Sequence, residues 1–192
     1  MQIRAIKRDC FRLSGKDEKV LVNPSKELID SGKYESRTVI FTRKEYNFLG
    51  LTFEGVVVCG PGEYEVGGVE ILGIDANGEG EEVVYVLNMD GLSLVIMTTG
   101  GDSLKDKLGE KINGVDVLMV LPSKEGILDY KSVLEMAKKW GVNYLVPIAF
   151  ETENLKGLLD EVDNEGLVPI EKIKIDKEDL PEGMEVICLS VK

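Results

Sequence analysis

The residues with catalytic potential are few, and they lack the partner that would activate them. Glu63 and Glu65 flank Tyr64 and have the spacing of a paired-carboxylate acid/base site. Ser103 with Lys105 or Lys107, and Ser123 with Lys124, are hydroxyl–amine pairs of the Ser–Lys kind. Cys10, Cys59 and Cys188 are the three thiols, and no histidine occurs anywhere in the chain. That removes the commonest general base and the neutral nitrogen ligand of most zinc sites. Each candidate then has a simpler reading. Glu63 and Glu65 are alternating polar positions of a strand that follows the Gly60-Pro61-Gly62 turn. Neighbouring Ser and Lys on one strand point apart, and an exposed lysine keeps its ordinary basicity. The widely spaced cysteines lie in apolar, strand-like segments and read as reduced, buried thiols. Neither Gly60-Pro61-Gly62 nor Gly100-Gly101 matches a phosphate-binding glycine motif.

The elements that must position these residues change character along the chain. The first half reads as β. Arg4–Ser14 and Lys19–Val22 form a hairpin about Ser14-Gly15-Lys16-Asp17. Thr38–Thr42 and Gly55–Cys59 are short strands, and Tyr64–Ile71 contains a tight turn between two more. Glu82–Asn88 and Leu92–Thr98 make the clearest hairpin, because Met89-Asp90-Gly91 supplies an Asp-Gly turn. In the second half Val115–Leu121 is a strand, and Tyr130–Trp140 has helical spacing at Val133, Leu134, Ala137 and Trp140, with Gly141 as C-cap. Trp140 reads as a core or partner anchor. Tyr144–Ile148 is a strand, Thr152 caps a helix carrying Leu155, Leu158, Leu159 and Val162, and Glu185–Val191 closes the chain as a strand. Strand–helix–strand with so short a crossover implies parallel pairing.

Composition bounds the rest. A length of 192 residues suits one domain, 1–192, and 43% apolar residues is ordinary for a globular protein. The formal net charge of −12 opposes a broad nucleic-acid or anionic-membrane surface. Arg4, Lys7, Arg8 and Arg12 form a local basic cluster, which alternation should split between two strand faces as solvated residues. The apolar runs are strand-length, well short of the roughly 20 residues a bilayer requires. With an alternating N-terminus and no visible signal peptide, the chain reads as cytoplasmic.

Several motifs, in order, add up to a resemblance. They are Cys10-Phe11-Arg12-Leu13, Gly60-Pro61-Gly62-Glu63-Tyr64-Glu65-Val66, Gly68-Val69-Glu70-Ile71, Asp90-Gly91-Leu92, Val115-Asp116-Val117-Leu118, Val146-Pro147-Ile148 and Ile175-Asp176-Lys177-Glu178-Asp179-Leu180. The chain resembles the metallo-β-lactamase superfamily over nearly its whole length, and within it the small branch of lactonase-like metal-dependent hydrolases. Gly-Pro-Gly-Glu-Tyr-Glu-Val is the most specific segment. The resemblance implies an α/β fold, a four-layer αββα sandwich of two mixed β-sheets with outer helices, and a site at one edge of the paired sheets. Active members hold one or two divalent ions there through His-x-His-x-Asp-His and later ligands, and the metal lowers the pKa of bound water.

Carried over residue by residue, that ligand set is gone. Thr42-Arg43-Lys44-Glu45-Tyr46-Asn47-Phe48 stands where the family has Thr-His-x-His-x-Asp-His, so the four ligand positions are Arg43, Glu45, Asn47 and Phe48. Thr99 stands at a later aspartate, with Asp102 three residues on, Ala149 at a later histidine, and Arg8 at an additional one. Arg43 brings a fixed cation to a cation site, while Phe48 and Ala149 bring no donor atom. Zinc is not expected, nor any other cofactor.

The leading expectation is a non-catalytic member of this fold, serving as a binding or assembly subunit with a protein partner or as a homo-oligomer. Arg43, paired with Glu45 or Asp102, would replace the metal electrostatically. One alternative is a hydrolase with oxygen-only ligation, in which Glu45, Asn47 and Asp102 form a weak site for Mg²⁺ or Mn²⁺. The other is an anion- or metabolite-binding module in which Arg8 and Arg43 attract a phosphorylated ligand.

Overall fold

In a computed structural model of the chain, residues 1–7, 9–44, 53–98, 108, 112, 114–121, 130–148, 160, 162 and 168–190 are described. The first sheet is built from β1 (Gln2–Lys7), β2 (Cys10–Ser14), β3 (Lys19–Val22), β4 (Thr38–Phe41), β5 (Val56–Cys59) and a late strand β12 (Lys172–Lys174). Its order is β12-β1-β2-β3-β4-β5. The second sheet contains β6 (Gly62–Val66), β7 (Val69–Asp75), β8 (Val83–Met89), β9 (Leu92–Met97), β10 (Val117–Val120), β11 (Tyr144–Pro147) and β13 (Glu185–Val186). Its order is β13-β11-β10-β9-β8-β7-β6.

Alternation in the strands decides which faces meet. In β1, Ile3 and Ala5 point inward, and in β8, Val83, Tyr85, Leu87 and Met89 do so. Together with Phe11, Leu13, Ile40, Leu94 and Ile96 they form the layer between the sheets. The other face of the second sheet, with Val84, Val95, Leu118 and Leu145, packs on helix α2 (Tyr130–Trp140) through Val133, Leu134, Ala137 and Trp140. Because β10 is covered on both faces, all four of its residues are buried and it shows no alternation. On the far side of the first sheet, Leu21, Val39 and Phe41 are covered by Ile29 of the short helix α1 (Lys26–Asp30) and by Tyr34. These are the four layers expected: helix, sheet, sheet, helix. Removing a large side chain from the middle layer, such as fully buried Phe11, should cost about 3–5 kcal/mol.

The Asp90-Gly91 turn forms as expected, with both residues in the left-handed region (φ 54° and 78°) that a two-residue hairpin requires. Trp140 is a core residue at 7% exposure. The parallel pairing of β10 with β11 also holds.

Three expectations need correction. Arg4–Ser14 is two antiparallel strands, β1 and β2, with Lys7 paired to Cys10 and a register shift between Ala5 and Lys7. No Gly or Pro marks that reversal. Within the basic cluster Arg4 lies directly opposite Arg12 and both project outward, while Arg8 lies outside the described residues. The closing strand is short: β13 covers only Glu185–Val186, with Leu189 held to Ile170 by an isolated bridge. Finally, the early strands, which read as antiparallel, are not all so: β3, β4 and β5 pair in parallel, with α1 between β3 and β4 and its N-cap Ser25 accepting a hydrogen bond from the Leu28 amide at 3.3 Å. The helix expected after Thr152 falls almost wholly outside the described residues.

Candidate functional site

The two sheets share one edge. There the C-terminal ends of β3, β4, β7, β9, β10 and β11 meet the N-terminal end of β8, as the register of each pairing requires. The lead-in to the ligand-like segment is held from both sheets. The Thr42 amide donates to Asn23 Oδ1 at 2.9 Å, and the Val83 amide donates to the Thr42 carbonyl at 2.9 Å. The Asn23 amide donates to the Ile40 carbonyl at 2.9 Å, with Asn23 at φ 50°, a conformation that asparagine tolerates better than most residues.

Arg43 follows directly. It forms an antiparallel bridge with Glu82, and its Nε donates to Glu82 Oε1 at 3.0 Å. The arginine side chain is 7% exposed and the glutamate 19%. Beside it, Lys44 and Glu81 pair at 3.1 Å with both side chains more than half exposed, so that second pair adds little. At the end of β9, Thr98 is 1% exposed and its hydroxyl has no hydrogen-bond partner among the described residues.

Tyr85, fully buried, ties this edge together. The Gly60 amide donates to its hydroxyl at 3.0 Å, and that hydroxyl faces the carbonyls of Phe41 at 3.2 Å and Gly60 at 3.3 Å. Burial raises the phenol's pKa, so it stays a neutral hydrogen-bonding group. The Tyr64 hydroxyl donates to the Gly60 carbonyl at 3.2 Å. Gly73 completes the arrangement, because a Cβ there would lie 2.5 Å from the Gly60 carbonyl oxygen. Gly60-Pro61-Gly62-Glu63-Tyr64 is thus a clamp between the sheets, and Glu63 and Glu65 are exposed alternating positions of β6.

A cavity of about 380 Å³ opens on the first sheet's side of this edge, lined by Lys7, Asp9, Cys10, Asn23, Ser25 and Glu27 among others. Burial, with Asp9 adding to it and Lys7 opposing it, pushes the Cys10 thiol up to about 12, so it is not a nucleophile at neutral pH. Glu27 is shifted the other way, its carboxylate favoured by its own backbone amide and the Ser25 hydroxyl.

Of the sequence-derived site positions, Arg43 is described. Arg8, Glu45, Asn47, Phe48, Thr99, Asp102 and Ala149 lie outside the described residues, as do the Ser103 and Ser123 pairs. Their nearest described neighbours Lys7, Lys44, Thr98 and Ile148 end segments at this one edge. Sequence reasoning missed Glu82 as the partner of Arg43, 39 residues away, and no local spacing signals it.

Among the described residues, no donor set fits the metal that the fold implies. The chain offers no imidazole. Among the described residues no three Cys, Asp or Glu side chains gather where they could hold an ion, and the edge carries a guanidinium already joined to a carboxylate.

A family model described as the beta-lactamase superfamily domain matches residues 2–149. The chain belongs to the beta-lactamase superfamily. Comparison with curated proteins finds no match. Among solved structures, this superfamily member is similar to a Thermotoga maritima protein named as a Zn-dependent hydrolase of the metallo-beta-lactamase superfamily. The TM-score is 0.77 at 19% identity, covering 100% of this chain and 99% of that one. It is also similar to the metallo-beta-lactamase fold protein YhfI of Bacillus subtilis, with TM-score 0.63, 12% identity and coverage of 100% and 97%. A protein of Parabacteroides distasonis named as a metal-dependent hydrolase gives 0.66 at 12%, with 98% and 93% covered. At these identities the likeness speaks for the fold. Among the described residues no helix is long and apolar enough to cross a membrane.

Proposed function

We propose that this beta-lactamase superfamily member is a non-catalytic, single-domain binding or assembly subunit, cytoplasmic, without zinc, and without nucleic-acid or membrane partners. The observation that supports this most is the Arg43–Glu82 ion pair at the shared sheet edge. A fixed cation at a former ligand position repels a divalent ion, and a carboxylate across the sheets neutralises that cation at 3.0 Å. The pair does what a bound metal does for a scaffold: it joins the end of β4 to the start of β8. The inert Cys10 thiol and the clamping role of Tyr85 and Tyr64 agree with a site kept for structure.

Oxygen-only ligation by Glu45, Asn47 and Asp102 is the competing reading, and thermal unfolding in Mn²⁺, Mg²⁺ and Zn²⁺ separates the two. An ion that binds the native state alone raises the unfolding temperature with concentration. The non-catalytic reading expects no saturable rise at millimolar metal; a saturable rise abolished by Asp102→Ala overturns it. Arg43 spends charge on Glu82, which argues against Arg8 and Arg43 acting together as an anion site.

A further inference from the structure

The outer face of the first sheet carries a row of like charges that its own folding does not explain. Lys172 of β12 is the register partner of Arg4 in β1, and Arg4 is the register partner of Arg12 in β2. Like charges directly opposite one another on adjacent strands are destabilising. Among the described residues one carboxylate pairs with this row: Glu171 lies 3.9 Å from Arg4, both side chains 38% exposed. Arg12 makes no ion pair among the described residues, and its Nε is shut off from solvent with no hydrogen-bond partner. Its guanidinium instead stands over the Tyr34 ring at 5.4 Å, and the Lys33 ammonium stands 5.6 Å from the same ring. The row is all the more notable in a chain with 35 acidic against 23 basic residues.

Next to this row the surface is concave. A cavity of about 300 Å³ is lined by Arg4, Lys7, Lys33, Tyr34, Glu171 and Ser190, among others. That volume is at the lower end of what small-ligand sites use, roughly 300–1,000 Å³. Three side chains on its wall are cationic, one is a carboxylate, and Ser190 and Tyr34 carry hydroxyls. Arg12 supports the pocket from behind through the shared Tyr34 ring, which fixes the ring and adds positive potential. We propose that this pocket binds a phosphate-bearing small molecule, with Arg4, Lys7 and Lys33 meeting the phosphate and Ser190 supplying a neutral hydrogen-bonding group. A dianionic oxygen cluster offsets the cross-strand repulsion, and arginine and lysine donors favour it through charge-assisted hydrogen bonds. The concavity favours a small ligand over an acidic protein surface, and the net charge of −12 disfavours nucleic acid. The site lies on the far face of the first sheet and is independent of the Arg43–Glu82 reading, so failure of one leaves the other standing.

Calorimetric titration with inorganic phosphate and with glycerol 3-phosphate, each against chloride of equal ionic strength, tests the proposal. Saturable binding is expected in the native chain and in Lys138→Ala/Lys139→Ala, whose lysines are exposed on α2 away from the pocket. In Arg4→Ala/Lys33→Ala the affinity should fall at least about tenfold, the loss expected when charge-assisted hydrogen bonds are removed. Glu171→Gln, which leaves the cations in place and removes the opposing carboxylate, should bind more tightly. Tighter binding of glycerol 3-phosphate than of phosphate would identify an organic ester as the ligand, and equal binding would identify free phosphate. Heats no larger than those of chloride, or an affinity unchanged in both the double variant and Glu171→Gln, would overturn the proposal.

Discussion

Arg43 Nε lies 3.0 Å from Glu82 Oε1, and the two residues also face each other across an isolated antiparallel bridge. Side chain and backbone thus join the sheets at the same point. Truncating one partner leaves the other charge poorly solvated. Arg43→Ala should destabilise the fold by about 2–4 kcal/mol in urea unfolding, the lower part of the range for a broken buried pair because Glu82 keeps 19% of its surface in water. Arg43→Met/Glu82→Leu should cost clearly less than the sum of Arg43→Ala and Glu82→Ala. Additive losses would show that the two charges are not coupled.

Thr98 gives the opposite sign. Its hydroxyl is buried and has no partner among the described residues, so replacing it by the isosteric valine removes a desolvation cost and no hydrogen bond seen there. Thr98→Val should be neutral or stabilising by up to about 1 kcal/mol, read from the urea midpoint. A loss larger than that would mean the hydroxyl has a partner in solution.

Asp116 anchors the start of β10. It accepts the Ser93 amide at 2.8 Å, and Lys177 Nζ lies 2.7 Å from its carboxylate. Asp116→Ala should destabilise by about 2–3 kcal/mol, mostly through the orphaned Ser93 amide, whereas Lys177→Ala, at an exposed lysine, should cost under about 1 kcal/mol. Equal losses in the two variants would move the weight onto the ion pair.

Alkaline pH should weaken the fold through Cys10. Its thiol rises from the ordinary 9.0 to about 12 in the folded chain. The folded state keeps a proton that the unfolded state releases above pH 9, so the stabilisation is complete below pH 9 and is lost as pH rises toward 12. Unfolding midpoints measured from pH 8 to about 10.5 should fall, and more gently in Cys10→Ala. Identical slopes would remove Cys10 as the cause.

How much of this was legible in the sequence follows from the range of each interaction. The Asp90-Gly91 hairpin and the α2 core face are local patterns, and the structure agrees with them. The reversal between β1 and β2 carries no Gly or Pro, so its alternation reads as one continuous strand. α1 is five residues long, too short for a hydrophobic period to show. The pairing of Arg4 with Arg12 and Lys172, and of Arg43 with Glu82, depends on register between segments tens of residues apart. No spacing within a segment encodes it. The Gly60–Tyr64 motif was visible as a motif, but its purpose became physical only with Tyr85, 25 residues on, in hydrogen-bonding distance.

The proposed reading is that the Arg43–Glu82 ion pair at this edge takes the place of a metal. Metal content per chain, measured by inductively coupled plasma mass spectrometry on protein grown with zinc, manganese and iron, tests it most directly. The account predicts far less than one transition-metal ion per chain, unchanged after dialysis against chelator. One tightly held ion per chain, lost together with a hydrolytic activity on chelation, would contradict it.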